Sequence, residues 1–175
     1  MKLIDLIESI ESIKDFPTKG IDFKDITPIL KDSKKFSFAL ESMVNLFQNK
    51  EISKVLGIES RGFMLGTALA YKLNAGFLPV RKEGKLPRET LKASYAKEYG
   101  LDSLEIHKND LSKEDVVLIH DDLIATGGTI EAVIKILKQI EVKKIYVCSL
   151  IALDKLKGVA RIEKYDVEVH ALIHF

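Results

Sequence analysis

Apolar positions recur along the chain with two periods. Phe36, Leu40, Met43, Val44 and Phe47 lie at helical spacing behind Asp32 and Ser33, either of which suits an N-cap, and they predict a core-facing helix with no chemistry in it. Leu65, Ala68, Leu69 and Leu73 predict a second helix, and Ile130, Val133, Ile134 and Leu137 a third. Leu6, Ile7 and Ile10 predict a short amphipathic helix that ends before Phe16 and Pro17. Residues 18–30 read as a loop, punctuated by Gly20 and Pro28, that still carries Ile21, Phe23 and Ile26. Apolar runs at 54–58, 76–80, 116–119 and 144–153 read as buried strands. Residues 91–99 and 104–107 read as two extended arms joined around Gly100, a flap and not a core element. A polar helical or irregular stretch covers 156–164, and 166–175 alternates, with Val167, Val169, Ala171, Ile173 and Phe175 on one face. His170 and His174 share the other face, ~13 Å apart in an extended strand, too far to chelate one metal. Both read as structural or interface residues.

Strands separated mostly by helices predict an α/β fold with a central parallel sheet flanked by helices. Three of the strands lead into polar loops at one sheet edge, so one ligand can touch all three.

Composition narrows the function classes. At 175 residues, 46% hydrophobic and 30% charged, the chain suits one globular domain, 1–175. A formal net charge of +1 supplies no global field for nucleic acid or membrane surfaces, so anion binding has to come from local clusters. The single Cys148 lies in an apolar run and reads as a small buried hydrophobe. No apolar stretch reaches membrane-spanning length and the start lacks a signal-peptide core, so the expectation is a cytoplasmic protein.

The densest chemistry lies at 116–129, VVLIHDDLIATGGT. A buried strand ends in Asp121 and Asp122, where open α/β sheets bind ligands. The small, hydroxyl-bearing run Ala125, Thr126, Gly127, Gly128 and Thr129 then opens a helix, which makes a phosphate cradle from backbone N–H groups, hydroxyls and the helix dipole. Two acids cannot favour that same phosphate, but they suit the hydroxyls of an attached sugar. The stretch therefore reads as a sugar-phosphate site. A second strand–turn–helix passes through Glu59, Ser60, Arg61 and Gly62; Phe63 and Met64 stand where a Walker A loop needs Lys and Ser/Thr, which rules out that type of nucleotide binding. Arg81, Lys82, Lys85 and Arg88 follow a third strand end and read either as a solvated face or as an anion clamp. Phe23 reads either as core packing or as a cover for something flat.

The run DDLIATGGT resembles the phosphoribosyl-pyrophosphate (PRPP) signature of the type I phosphoribosyltransferases. Three further stretches, DFPTKGIDFKDITPIL, GIESRGFMLG and VRKEGKLP running on to ASYAKEYG, narrow the resemblance to the adenine phosphoribosyltransferases. It covers most of the chain, weakening before Lys14 and after Leu153.

The resemblance implies a reaction, adenine plus PRPP giving AMP plus pyrophosphate, and a fold with a small hood at about 1–30 and a flexible two-stranded flap at about 82–107. It implies that Asp121 and Asp122 engage the ribose while Ala125 to Thr129 hold the 5′-phosphate. Ser60, Arg61, Arg81, Lys82 and Lys85 take the pyrophosphate. Phe23 stacks on the purine, the backbone of Asp22 meets its exocyclic amine, Arg61 borders it, and Leu123 and Ile124 form the opposite wall. Glu98, with Tyr99 beside it near the flap tip, is the expected acid–base residue. Mg2+ is implied as the cofactor, held mainly by PRPP and water with no direct protein ligand, and the implied assembly is a homodimer. His120 departs from the Val or Ile usual at its place, Asp22 from an apolar residue and Lys24 from Arg. Three other readings remain, a transferase for another 6-substituted purine, a PRPP-sensing regulator without catalysis, and a nucleotide-handling α/β domain of unrelated activity.

Overall fold

The computed structural model describes residues 1–96 and 101–175, and the chain divides into two compact units, Met1–Ser42 and Met43–Phe175. The first unit departs from the sequence expectation. Helix α1 (Leu3–Ile7) stops early: Ser9 Oγ turns back to donate to the Asp5 carbonyl at 2.5 Å, and tight turns bond Ser9 N to Leu6 O and Ile10 N to Ile7 O. Strand β1 (Glu11–Lys14) then pairs antiparallel with β2 (Asp22–Asp25), so part of the expected loop is a hairpin arm, and α2 (Thr27–Leu30) takes up the rest. Each arm is four residues long, and exposed β1 and mostly half-buried β2 carry one apolar residue apiece, too few for a sequence pattern to detect. Phe23 lies on β2 with Phe16 edge-on at 5.2 Å, and Asp22 is ion-paired with Lys24 at 3.0 Å. Helix α3 (Ser33–Phe47) begins as expected, with Asp32 Oδ1 accepting from the N–H groups of Lys34 and Lys35.

The second unit is built on a seven-stranded sheet. Its strands are β3 (Lys54–Ile58), β4 (Gly76–Lys82), β5 (Thr90–Ala96), β6 (Leu101–His107), β7 (Val116–Ile124), β8 (Lys144–Ala152) and β9 (Glu168–His174), in the order β5-β6-β4-β3-β7-β8-β9. The stretch β4-β3-β7-β8-β9 is parallel, as expected, while β6 joins β4 and β5 joins β6 antiparallel. The two arms expected to form a flap and not a core element are thus rooted in the main sheet. Leu104 and Ile106 are buried in its core, and Leu91 and Tyr95 pack against that core. Alternation lets each strand serve two faces. Leu56, Ile58, Val117, Ile119 and Val147 meet Ile130, Val133, Ile134 and Leu137 of α5 (Gly128–Ile140), whereas Gly57 and His120 meet α4 (Gly62–Lys72).

Short α6 (Gly158–Glu163) ties the carboxyl end of the sheet to α5. Gly127, with φ +77°, and Gly158 approach so closely that a methyl at Gly127 would meet the Gly158 carbonyl oxygen at 2.7 Å, and one at Gly158 would fall 2.8 Å from Ile124 Cγ2. Glu131 adds a charged tie. It accepts from Tyr165 Oη and Arg161 Nε, each at 2.5 Å, and pairs with Lys135 at 2.9 Å. His170 is bonded to Glu168 at 2.7 Å and His174 to Asp154 at 2.9 Å. Cys148 is buried, which pushes its thiol up to about 12. Among the described residues no helix is long and apolar enough to cross a membrane.

Two outcomes follow from these ties. In Gly158→Ala the added methyl has no flexible neighbour to displace, so urea unfolding should show a loss of about 1–3 kcal/mol. The Tyr165 hydroxyl, followed by Lys135 and Arg161, overcomes the opposing effect of burial and holds Glu131 at about 2, below its ordinary 4.5. A depressed carboxyl stabilises the fold above its unfolded value and loses that contribution as pH falls toward its folded value. Unfolding midpoints should therefore decline from about pH 5 toward pH 2, and Glu131→Gln should flatten that decline.

Candidate functional site

In the parallel part of the sheet β3 has β4 on one side and β7 on the other, so the chain order reverses at the β3/β7 boundary, where ligand crevices open in α/β sheets. The register gives the opening its shape. Pairing of β7 with β3 ends at Gly57↔His120, while pairing of β7 with β8 continues through Asp121↔Ser149 to Ile124↔Ala152. Asp121 and Asp122 therefore lie within the strand, which runs five residues past the expected 116–119, and one of their flanks is open.

Helix α4 enters this opening. A methyl at Gly62 would stand 2.7 Å from the His120 carbonyl oxygen and 3.2 Å from Asp121 Oδ1. The turn through Ser60 and Arg61, which contains a cis Glu59–Ser60 peptide, is thereby held beside the acid pair. Arg61 Nε lies 3.1 Å from Asp122 Oδ2, and that oxygen is buried without an aligned hydrogen-bond donor, so the contact is an ion pair only. Asp122 is buried and Asp121 half-buried. Burial, then the Asp122 charge, drives Asp121 well above the usual carboxylate range; burial also raises Asp122, against the pull of Arg61. Such a pair resists carrying two charges alone and favours a ligand that brings hydroxyl donors or a cation.

The cradle follows directly. A small cavity of about 70 Å3 is lined by Asp121, Leu123, Ile124, Ala125, Thr126, Gly127 and Thr129. It lies at the N-terminus of the thirteen-residue α5, whose first N–H groups and dipole favour an anion. Leu123 is half-buried, while Ile124 is in the core under the loop.

The basic run is gathered by a residue the sequence reading did not assign. Glu59 accepts from Arg81 Nε at 3.2 Å, Lys85 Nζ at 2.5 Å and the Lys82 N–H at 3.0 Å. Burial opposes its charge, yet these three donors hold Glu59 at about 2. Arg88 stands apart in a bidentate pair with Asp110. The only sequence signal for Glu59 was its place after β3, and its value depended on β4 being the neighbouring strand.

His120 faces α4 with Nδ1 3.1 Å from the Cys148 carbonyl oxygen and Nε2 unpartnered. Burial pushes it down to about 4, so it is neutral and adds no charge to the acid pair. The structure thus brings together Ser60, Arg61, Asp121, Asp122 and residues 125–129, and gathers Arg81, Lys82 and Lys85 on Glu59. Asp22 and Phe23 belong to the first unit. Glu98 and Tyr99 lie outside the described residues.

Comparison with known proteins agrees with this geometry. The family model of the phosphoribosyl transferase domain matches residues 23–175. An adenine phosphoribosyltransferase of Bacteroides fragilis is 47% identical over 96% of this chain and 95% of its own length. The crystal structure of the adenine phosphoribosyltransferase from Rhodothermus marinus superposes with a TM-score of 0.94 at 47% identity, covering 99% of this chain and 98% of that one. The enzyme from Giardia lamblia, complexed with 9-deazaadenine, gives a TM-score of 0.96 at 38% identity, over 100% of this chain and 98% of its own. The chain belongs to the type I phosphoribosyltransferase family, among the adenine phosphoribosyltransferases.

Proposed function

We propose that this protein transfers the 5-phosphoribosyl group of PRPP to N9 of adenine, forming AMP and pyrophosphate in purine salvage. The observation that carries this reading is the continuity of the acid pair Asp121 and Asp122 with the cradle at the α5 N-terminus, facing the Ser60–Arg61 turn. The N9–C1′ bond forms as the C1′–oxygen bond to pyrophosphate breaks, and the N9 proton leaves the base. Asp121 and Asp122 orient the ribose through its hydroxyls, and residues 125–129 anchor its phosphate, so the anomeric carbon is held in line between base and leaving group. Ser60, Arg61, Arg81, Lys82 and Lys85 receive the pyrophosphate, with Arg81 and Lys85 exchanging Glu59 for it.

Mg2+ belongs to this reading as a companion of PRPP. In this reading the ion is carried by diphosphate and water beside the acid pair. When bound, it neutralises charge on the leaving group. Base recognition by Phe23, the Asp22 backbone, Arg61, Leu123 and Ile124, and acid–base work by Glu98 with Tyr99, rest on the resemblance. So do the single domain with its hood and flap, and the homodimer.

With PRPP and magnesium, adenine should yield AMP at least ~100-fold faster than hypoxanthine, guanine or xanthine, because a 6-oxo group leaves the amine acceptor unpaired. Comparable turnover of a 6-oxopurine would overturn the assignment of the base, and PRPP binding without turnover would favour a regulator. Glu98→Ala should lower kcat by about 10²-fold or more with little change in PRPP affinity; equal loss in both would remove its acid–base role.

A further inference from the structure

Glu131 and Arg161 have no part in the roles above, yet both stand at the phosphate loop. Glu131 is in the first turn of α5, its N–H bonded to the Gly127 carbonyl at 2.9 Å. Its carboxylate is 12% exposed and ionised at working pH, so a negative charge sits one turn from the end of the helix assigned to a phosphate. Arg161, on α6, offsets it. Nε and Nη2 engage Glu131, and the remaining nitrogen, Nη1, is turned to Gly128. A methyl at Gly128 would lie 3.5 Å from that Nη1 and 3.8 Å from both Thr126 Oγ1 and Tyr95 Cδ2. A guanidinium edge, the hydroxyl of the cavity-lining Thr126 and a ring from β5 therefore converge over one loop residue.

We propose that Arg161 is a positioning residue for the phosphoryl end of PRPP: it cancels the Glu131 charge and backs residues 126–128, so that the α5 N-terminus presents a net positive potential to the 5′-phosphate. The inference rests on residues 125–129 being the 5′-phosphate site. A first-turn acid stabilises an empty helix terminus but repels a bound dianion, and a guanidinium held on that acid removes the conflict without entering the cradle.

The test compares Arg161→Gln, Arg161→Lys and the double variant Glu131→Gln/Arg161→Gln, reading KM for PRPP, KM for adenine, and Kd for ribose 5-phosphate by calorimetry. Arg161→Gln should weaken PRPP and ribose 5-phosphate by about tenfold and move the adenine KM far less. Arg161→Lys should recover part of the loss, and the double variant most of it, because the acid that needed cancelling is gone. An Arg161→Gln protein with unchanged affinity for both ligands would overturn the inference. So would a double variant no better than the single one, since the arginine would then be only a mechanical tie between α6 and α5. If the unaltered protein failed to bind ribose 5-phosphate, the reading of residues 125–129 would itself fall.

Discussion

The site depends on one close backbone approach. Helix α4 enters against β7 with Gly62 so near the His120 carbonyl and Asp121 that no side chain fits between them. That contact sets the Ser60–Arg61 turn beside the acid pair. It occurs where β7 has lost β3 as a pairing partner but kept β8, so the opening is made by register and filled by a helix start. A second close approach, Gly158 on Gly127, fixes the other wall by pressing α6 onto the phosphate loop. The loop residues need no stabilisation of their own, because rigid elements meet on both sides of them.

Charge around these walls is matched in pairs. Arg61 lies on Asp122, Arg81 and Lys85 on Glu59, and Arg161 on Glu131. Among the described residues, Arg61, Arg81, Lys85 and Arg161 thus each already have a carboxylate. A polyanionic substrate must therefore compete for them, and its gain is the difference between two ion pairs, not the full attraction of free cations. Such exchange favours selectivity: a ligand has to replace the geometry of Glu59, which draws a guanidinium, an ammonium and a backbone N–H to one point. A diphosphate can do this, and a single chloride cannot.

The sequence disclosed the parts whose signal is local. Helical spacing located α3, α4 and α5; apolar runs located β3, β4, β7 and β8; and the DDLIATGGT run placed acids and cradle together. What it concealed was relational. The hairpin of β1 and β2 has four-residue arms with one apolar residue apiece, so its pairing leaves no periodic trace. Leu104 and Ile106 sit in a stretch that reads as flap, and only the antiparallel join of β6 to β4 makes them core. Glu59 looks like an ordinary turn residue until β4 is known to lie beside β3. Gly158 and Arg161 lie far along the chain from the loop they serve, and no spacing rule connects them to it.

His120 shows how a polar residue can occupy a core strand position next to a charged site without altering its chemistry. A cationic imidazole there would stabilise the ionised forms of Asp121 and Asp122. Strand alternation instead turns the ring to the α4 side, where Gly57 and Gly66 leave room for it beside Phe77 and the Cys148 carbonyl takes its Nδ1–H. Burial then keeps it neutral. The same two glycines that admit the helix to the sheet also accommodate the ring, so the acid pair keeps the raised affinity for protons that its own burial and mutual repulsion produce. Relief of that repulsion is left to the ligand, which couples ionisation of the pair to occupancy of the site.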